Sequence, residues 1–136
     1  MNTGMAIEEG TAEGDVTTWN GMFYGLNCRI VRWIGFENDV IWNYYVDVPE
    51  SQMTGLMRGL LNGYEDMDEF ASRYFSDCGW HGEITYTAMA ESTDGKVLVV
   101  GCDYNHLSDK ATSYNFLMIR DDLAATASNV ASRLLN

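Results

Sequence analysis

A β-hairpin in the second half of the chain constrains the fold more than any other feature of the sequence. Its first arm, residues 83–90, alternates apolar with polar side chains, which is the period of a half-buried strand. The second arm, residues 96–103, is nearly all apolar, as expected of a strand covered on both faces. Between the arms, Asp94-Gly95 favours a tight turn, because glycine adopts positive φ without a steric penalty. The sequence therefore predicts two antiparallel strands joined near Gly95.

The open end of this hairpin gathers both histidines of the chain. Antiparallel pairing brings His81 and His106 together, with Asp103 beside them. An aspartate that accepts a hydrogen bond from one imidazole nitrogen fixes the tautomer and leaves the other nitrogen basic, as in many hydrolases. No serine or cysteine has a recognisable nucleophile context, so no catalytic residue is assigned. Structural hydrogen bonding, ligand binding and catalysis all stay open as roles. The candidate pocket residues are Trp80, His81, Asp103, His106 and Asp109.

The cysteines raise a second possibility for the same region. Cys28, Cys78 and Cys102 are an odd number in a chain rich enough in aromatic residues to pack without disulfides, which fits reduced thiols in a cytoplasm, and we expect no signal peptide. Cys78-x-x-His81 and Cys102-x-x-x-His106 are pairs of zinc-type ligands, and a structural zinc needs four such ligands in a tetrahedron. Free cysteines on buried strands are also common as small hydrophobic residues. We predict no metal and no cofactor, with zinc as the alternative.

The charge balance is strongly acidic. Twenty Asp and Glu residues face eight Lys and Arg residues, which gives a formal net charge of −12. Such a field repels nucleic acid and anionic membranes and attracts basic proteins. The chain also contains no apolar run long enough to cross a membrane. We therefore expect no direct binding of nucleic acid or membrane, and we predict a basic protein partner.

One group of carboxylates flanks a predicted helix over residues 67–75. They are either the solvated start of a helix, where the dipole favours each negative charge by ~0.3–1 kcal/mol, or a surface that replaces the phosphates of a nucleic acid. The candidate partner-binding residues are Glu65, Asp66, Asp68, Glu69 and Asp77.

The remaining patterns predict the architecture. Alternation of side chains that point to opposite faces predicts further strands over residues 19–25, 28–35 and 40–48. Helical spacing predicts a short helix capped by Ser51 and helices over 67–75 and 116–135. We expect an α+β fold: a four- to five-stranded, mostly antiparallel sheet with a long C-terminal helix packed on one face and short inserted helices. Residues 1–17 lack periodicity and are expected to be a flexible acidic tail, followed by a single domain over 18–136.

Short motifs of the chain resemble a group of phage and prophage proteins. The segments His81-Gly-Glu-Ile-Thr-Tyr86 and Gly101-Cys-Asp-Tyr-Asn-His106 are similar to that group's His-Gly-Gly-Ile/Leu-Thr-Tyr strand and Gly-Phe-Asp-x-x-His segment. Tyr44-Tyr-Val-Asp-Val-Pro49 is similar to its Gly-Tyr-Val-x-Val-Pro segment. The chain departs from the pattern at residues 83 and 102. The resemblance implies a viral accessory protein in a host cytoplasm and does not imply a reaction.

Three functions follow from these observations. The leading hypothesis is a non-enzymatic viral protein that binds and inhibits a host defence component. In this anti-CRISPR-like role its acidic face mimics nucleic acid and engages a basic effector. The alternative is a small pocket protein that sequesters or hydrolyses a nucleotide signal through His81, Asp103 and His106. A host-takeover or virion-associated interaction module is the third. The oligomeric state is left open, with a dimer among the possibilities.

Overall fold

An antiparallel sheet forms the framework of the protein, because most of its apolar residues recur with period two. The computed structural model describes residues 11–35, 38–63, 66–93 and 95–135. In chain order the strands are β1 (Thr11–Glu13), β2 (Val16–Phe23), β3 (Leu26–Ile34), β4 (Val40–Pro49), β5 (Tyr86–Ser92) and β6 (Gly95–Asp103). Their order across the sheet is β1-β2-β3-β4-β6-β5, and every neighbouring pair is antiparallel. The predicted α+β class is confirmed, with five long strands and a three-residue sixth strand at one edge.

Three helices, α1 (Gly55–Gly63), α2 (Met67–Phe75) and α3 (Phe116–Ala131), pack on one face of this sheet. The core lies between them, where alternate residues of the central strands meet the apolar stripes of the helices. Its largest fully buried side chains include Tyr44, Phe70, Phe75, Leu26, Ile30, Met53 and Leu98. The expectation that residues 96–103 are covered on both faces is confirmed for residues 98–102, which are buried without alternation, whereas Lys96 at the turn end is exposed.

The helix boundaries follow from side-chain caps. Helix α2 has the predicted bounds, because the Asp66 side chain accepts a hydrogen bond from the backbone N–H of Asp68 at 2.9 Å. Ser51 is not a cap. It lies in a short 3₁₀ turn, and the Thr54 hydroxyl caps α1 by accepting from the backbone N–H of Met57 at 3.2 Å. The residues after Pro49 thus turn once before the α-helix begins.

The N-terminal boundary also differs from the expectation. Residues 1–10 of the predicted tail lie outside the described residues. Thr11–Glu13 pairs with the start of β2, and Val16 pairs with Trp33 of β3. The sheet therefore begins before residue 18, because strand pairing adds residues whose own sequence lacks a clear period.

The hairpin of β5 and β6 positions the candidate site. Its strands pair from Ser92↔Gly95 to Tyr86↔Gly101, so β5 begins three residues later than the pattern at Glu83 predicts. Gly79 and Gly82, whose φ angles are +90° and +69°, turn the backbone just before the predicted start of this strand. Within the described ranges, no helix is both long and apolar enough to span a bilayer.

Candidate functional site

The loop before β5 is held against the core by a buried hydroxyl network. The Tyr44 hydroxyl lies 2.7 Å from the Thr126 hydroxyl of α3, and Thr126 donates to the Gly79 carbonyl at 2.9 Å. The backbone N–H of His81 in turn donates to the Tyr44 hydroxyl at 3.2 Å. Strand β4 and helix α3 thus fix the backbone that carries His81. These residues lie far apart along the chain, so the network depends on the complete fold.

Asp109 is the centre of the site. His81 Nε2 lies 2.6 Å from its Oδ1, and His106 Nδ1 lies 3.1 Å from its Oδ2. The Tyr114 hydroxyl donates to Oδ1 at 2.8 Å. The carboxylate is thereby shared by two imidazoles and a phenol, and we refer to Asp109, His81, His106 and Tyr114 as the Asp109 cluster.

A short 3₁₀ turn over Leu107–Ala111 presents Asp109 to the histidines. The backbone N–H of His106 donates to Asp109 Oδ2 at 2.9 Å, and the backbone N–H of Asp109 donates back to the His106 carbonyl, also at 2.9 Å. This reciprocal pairing satisfies the free backbone groups at the start of the turn. It also explains why a residue three positions beyond His106 reaches its ring.

The electrostatics of Asp109 are those of a permanent anion. The residue is only 7% exposed, and burial raises the pKa of its carboxyl group. The hydrogen bonds of the cluster, beginning with the backbone N–H of His106, outweigh burial and lower that pKa to about 2. Among the described residues its ion-pair contacts are imidazoles, and the adjacent Lys110 contacts Asp39 at 2.9 Å instead. A buried negative charge therefore lies between two histidines.

Both imidazole rings are held in place by their neighbours. His81 stacks on Tyr104 with ring centroids 3.8 Å apart, and the Tyr104 hydroxyl donates to Asp122 of α3 at 2.6 Å. His106 lies against Gly82, where an added Cβ would come within 2.8 Å of its Cε1 atom. Burial, together with the bond to Asp122, raises the pKa of Tyr104. The rings are thus oriented before any ligand binds.

The cluster lies at the edge of a cleft of about 720 Å³ between the sheet and the segment that leads into α3. His106, Asp109 and Tyr114 line it, whereas His81 contacts Asp109 from outside the lining. Five aromatic rings contribute to its walls, from Trp19, Trp42, Tyr104, Tyr114 and Phe116. We call this space the aromatic cleft.

Two permanent cations also line the aromatic cleft. The guanidinium of Arg32 lies 5.7 Å from the ring centroids of both Trp19 and Trp42. Lys110 lies on the opposite, loop side. They are two of only eight basic residues in a chain of net charge −12. Two carboxylates also line the cleft, those of Asp39 and Asp109. Its formal charges therefore balance, and it is less acidic than the chain as a whole.

The predicted pocket residues are only partly brought together. His81 and His106 meet, as the hairpin geometry indicates, and Asp109 joins them from the turn that follows β6. Asp103 is not the shared carboxylate, because its Oδ1 lies 3.8 Å from His106 Nδ1 and its side chain bonds the backbone N–H of Asn105. Trp80 packs in the core, where its indole donates to the Phe75 carbonyl at 2.7 Å.

Sequence reasoning missed the other contributors. No sequence motif pointed to Tyr104, Tyr114 or Arg32. Only the fold brings them to the site. Gly82 could have been noticed because it follows His81, and a glycine at such a position can indicate a positive φ or a close contact with another residue. The pattern His106-x-x-Asp109 could have been noticed as a possible cap, since a carboxylate three residues after the cap can bond back to it.

The acidic candidates do not form one patch. Glu65 lies outside the described residues. Asp66, Asp68 and Glu69 are exposed together in the first turn of α2. Asp77 lies beyond the other end of that helix and contacts Arg133 at 2.9 Å, which lowers its pKa.

The zinc arrangement through cysteine is not formed by the described residues. Cys28, Cys78 and Cys102 are all buried as free thiols. Burial raises the pKa of Cys102 and of Cys28 to about 12, which disfavours the thiolate that a metal needs. Three other side chains of the kind that binds metals do come together. They are His81, His106 and Asp109, and their ligand atoms all lie within 4.8 Å of one another.

Comparison of the chain with protein-family models, with curated proteins and with solved structures finds no match. The argument for function therefore depends on the geometry of the site.

Proposed function

We propose that the protein binds and sequesters a small anionic molecule with a planar ring, such as a nucleotide, in the aromatic cleft. The observation that carries this proposal is a space of about 720 Å³ lined by aromatic rings and by two cations. Ligand sites in proteins commonly enclose about 300–1,000 Å³, with mostly apolar walls and a few polar groups that fix orientation. The cleft matches that description in both size and chemistry.

The chemistry of the lining supports an anionic ligand. Stacking on an aromatic side chain contributes ~1–3 kcal/mol per nucleobase, and the half-buried rings of Trp19 and Phe116, which also contact each other, line the cleft. Arg32 and Lys110 supply charge for a phosphate or carboxylate, and Lys110 would exchange its contact with Asp39 for the ligand. A net charge of −12 repels anions at long range, so local cations are required to hold one.

Binding is a better-supported function than turnover. The three thiols are buried, so none of them is an exposed nucleophile. His106, which lines the cleft, can hydrogen-bond an anion through the ring nitrogen that does not contact Asp109, without any covalent step. The proposed role is thus sequestration.

Calorimetric titration with a panel of mononucleotides and cyclic nucleotides tests the proposal. We expect Lys110→Met to weaken binding ~10–100-fold, because a hydrogen bond to a charged group contributes ~1.5–3 kcal/mol. Lys96→Met is the matched control, since Lys96 lies on β6 outside the cleft lining. Titrations in EDTA keep metal ions out of the measurement. Absence of binding across the panel, or equal affinity of the Lys110→Met variant, would contradict the proposal.

A second candidate function is docking on a basic protein through Asp66, Asp68 and Glu69. Their exposure within one turn of α2 favours it, and the resemblance to phage proteins suggests a host defence effector as partner. Carboxylates so arranged can engage the Lys and Arg side chains that otherwise bind successive phosphates.

Charge reversal tests this second candidate. We expect Asp66→Lys, Asp68→Lys and Glu69→Lys combined to abolish binding to a purified CRISPR effector nuclease, with wild-type binding weakening as salt rises. Reversal of the exposed Asp15, Glu83 and Glu91 by lysine is the control, since it changes the net charge by the same amount. Salt-independent binding would contradict nucleic-acid mimicry. This result is separable from nucleotide binding, which does not involve α2.

A further inference from the structure

We propose that His81, His106 and Asp109 bind a divalent transition-metal ion, with Zn²⁺ as the ion to test first. The atoms that face one another are His81 Nε2, His106 Nδ1 and the two Asp109 oxygens, at N···O distances of 2.6 and 3.1 Å. All ligand-type atoms of the three residues lie within 4.8 Å. They belong to three separate positions along the chain, so their convergence comes from the fold.

The distances are close to those that a common ion requires. Zinc binds nitrogen and oxygen at ~2.0–2.2 Å in a tetrahedron, so two of its ligand atoms lie ~3.3–3.6 Å apart. The two N···O separations of 2.6 and 3.1 Å are hydrogen-bond distances that would open by less than ~1 Å around an ion, and the ligand atoms farthest apart, within 4.8 Å, would approach by about as much. The ion would replace the protons that now lie between nitrogen and carboxylate.

The charge at the centre favours a cation. Asp109 is buried, and its ion-pair contacts among the described residues are imidazoles. Buried charges in proteins are generally paired with a permanent charge or coordinate a metal. Lys110 does not fill that role because it contacts Asp39. A divalent ion would neutralise the carboxylate where no arginine or lysine does.

The surroundings resemble those of a supported metal site. His81 stacks on Tyr104, His106 lies against Gly82, and the Tyr114 hydroxyl bonds Asp109. Such outer contacts orient metal ligands and restrict their motion. Two imidazoles and one carboxylate leave positions open on the ion, as in catalytic zinc sites and non-haem iron sites. Since His106 and Asp109 line the aromatic cleft, an open position would face its contents.

Titration of the untagged, metal-stripped protein with Zn²⁺ and with Co²⁺ tests the site without any organic ligand. We expect one ion per chain with Kd below ~10 μM, as a supported three-residue site provides. The visible spectrum of the Co²⁺ form is expected to lack thiolate charge-transfer absorption, because no cysteine is a ligand. His81→Gln and Asp109→Asn are each expected to weaken binding at least ~10-fold, while Cys78→Ser leaves it unchanged.

Circular dichroism of each metal-free variant shows whether it is folded, and His106→Gln replaces any variant that is not. Wild-type protein that binds neither ion, a Co²⁺ spectrum with thiolate bands, or folded His81→Gln protein with wild-type affinity would each overturn the proposal. Nucleotide binding is measured in EDTA and metal binding without nucleotide. The two proposals can therefore fail independently.

Discussion

At the scale of single residues, Gly82 is the position where backbone and site depend on each other most directly. Its φ is +69°, and an added Cβ would approach His106 Cε1 to 2.8 Å. We expect Gly82→Ala to lower the free energy of unfolding by ~1–3 kcal/mol, because a positive φ alone costs an alanine ~1–2 kcal/mol and the ring of His106 must also move. Urea denaturation measures the change.

Gly25→Ala is the matched control for that experiment. Gly25 has a φ of +80°, but no described atom lies within 4 Å of its added Cβ. It therefore reports the backbone penalty without the contact. A Gly82→Ala variant no less stable than Gly25→Ala would show that the packing of His106 on Gly82 does not contribute.

The cysteines give a prediction that depends on pH. Burial raises the pKa of Cys28 and Cys102 to about 12, and it also raises the pKa of Cys78. The thiolate is the reactive form, so at pH 8 a thiol of pKa 12 is ionised to about one part in 10⁴. We expect native protein to resist iodoacetamide near pH 8 and to react faster as pH rises.

Protein denatured in urea is the control for accessibility. Its three thiols return to ordinary pKa values and are expected to react fully under the same conditions, as mass spectrometry would show. Rapid alkylation of native Cys102 at pH 8 would mean that β6 opens readily and that the hairpin is not the rigid base of the site.

At the scale of elements, helix α3 is the link between the sheet and the site. Asn115 caps it by accepting a hydrogen bond from the backbone N–H of Met118 at 3.0 Å, and Thr126 on the same helix bonds the loop that carries His81. We expect Asn115→Ala to cost ~0.5–2 kcal/mol of stability. Thermal denaturation would measure it.

Asp121→Ala is the control for the cap, because Asp121 is exposed on the same helix beyond its first turn. Alanine is the better helix former, and the surface ion pair that the change removes contributes little. This variant is therefore expected to be neutral or slightly stabilising. Equal stability of the Asn115→Ala and Asp121→Ala variants would contradict the cap.

The sequence was most informative where the residues of a helix or strand themselves carry the signal, as a cap or as a periodic apolar pattern. Met67–Phe75 was predicted with its observed bounds, since an aspartate cap precedes it and its apolar residues recur at helical spacing. The start of β5 was misplaced, because residues 83–85 alternate like a strand although the pairing with β6 begins only at Tyr86. β1 was missed because three residues are too few to show a period. Local patterns therefore predicted the elements better than their ends.

At the scale of the whole molecule, the hairpin geometry predicted that His81 and His106 approach each other, and their ring centroids are 5.9 Å apart. It did not identify Asp109 as the shared carboxylate, since that depends on a turn beyond the strand. The aromatic cleft was not predicted, because Trp19 and Phe116 contact each other across most of the chain. Contacts at such separation leave no local pattern in one sequence.

Net charge is a property of the whole chain that affects its stability. A charge of −12 destabilises the compact state through repulsion among carboxylates that are spread over the surface. Added salt screens that repulsion, and the Debye length falls from ~30 Å at 0.01 M to ~8 Å at 0.15 M. We expect the free energy of unfolding in urea, which is uncharged, to rise between these salt concentrations.

Replacing Glu83 and Glu91 by glutamine removes two exposed charges from near the site and from β5, respectively. This variant is expected to be more stable than wild type at low salt and to respond less to added salt, because part of the repulsion has been removed. Replacing the exposed Asn20 and Asn27 by serine is the control, since it leaves the charge unchanged. Stability that stays constant or falls with salt would mean that favourable ion pairs, such as Asp77–Arg133 and Asp39–Lys110, outweigh the net repulsion.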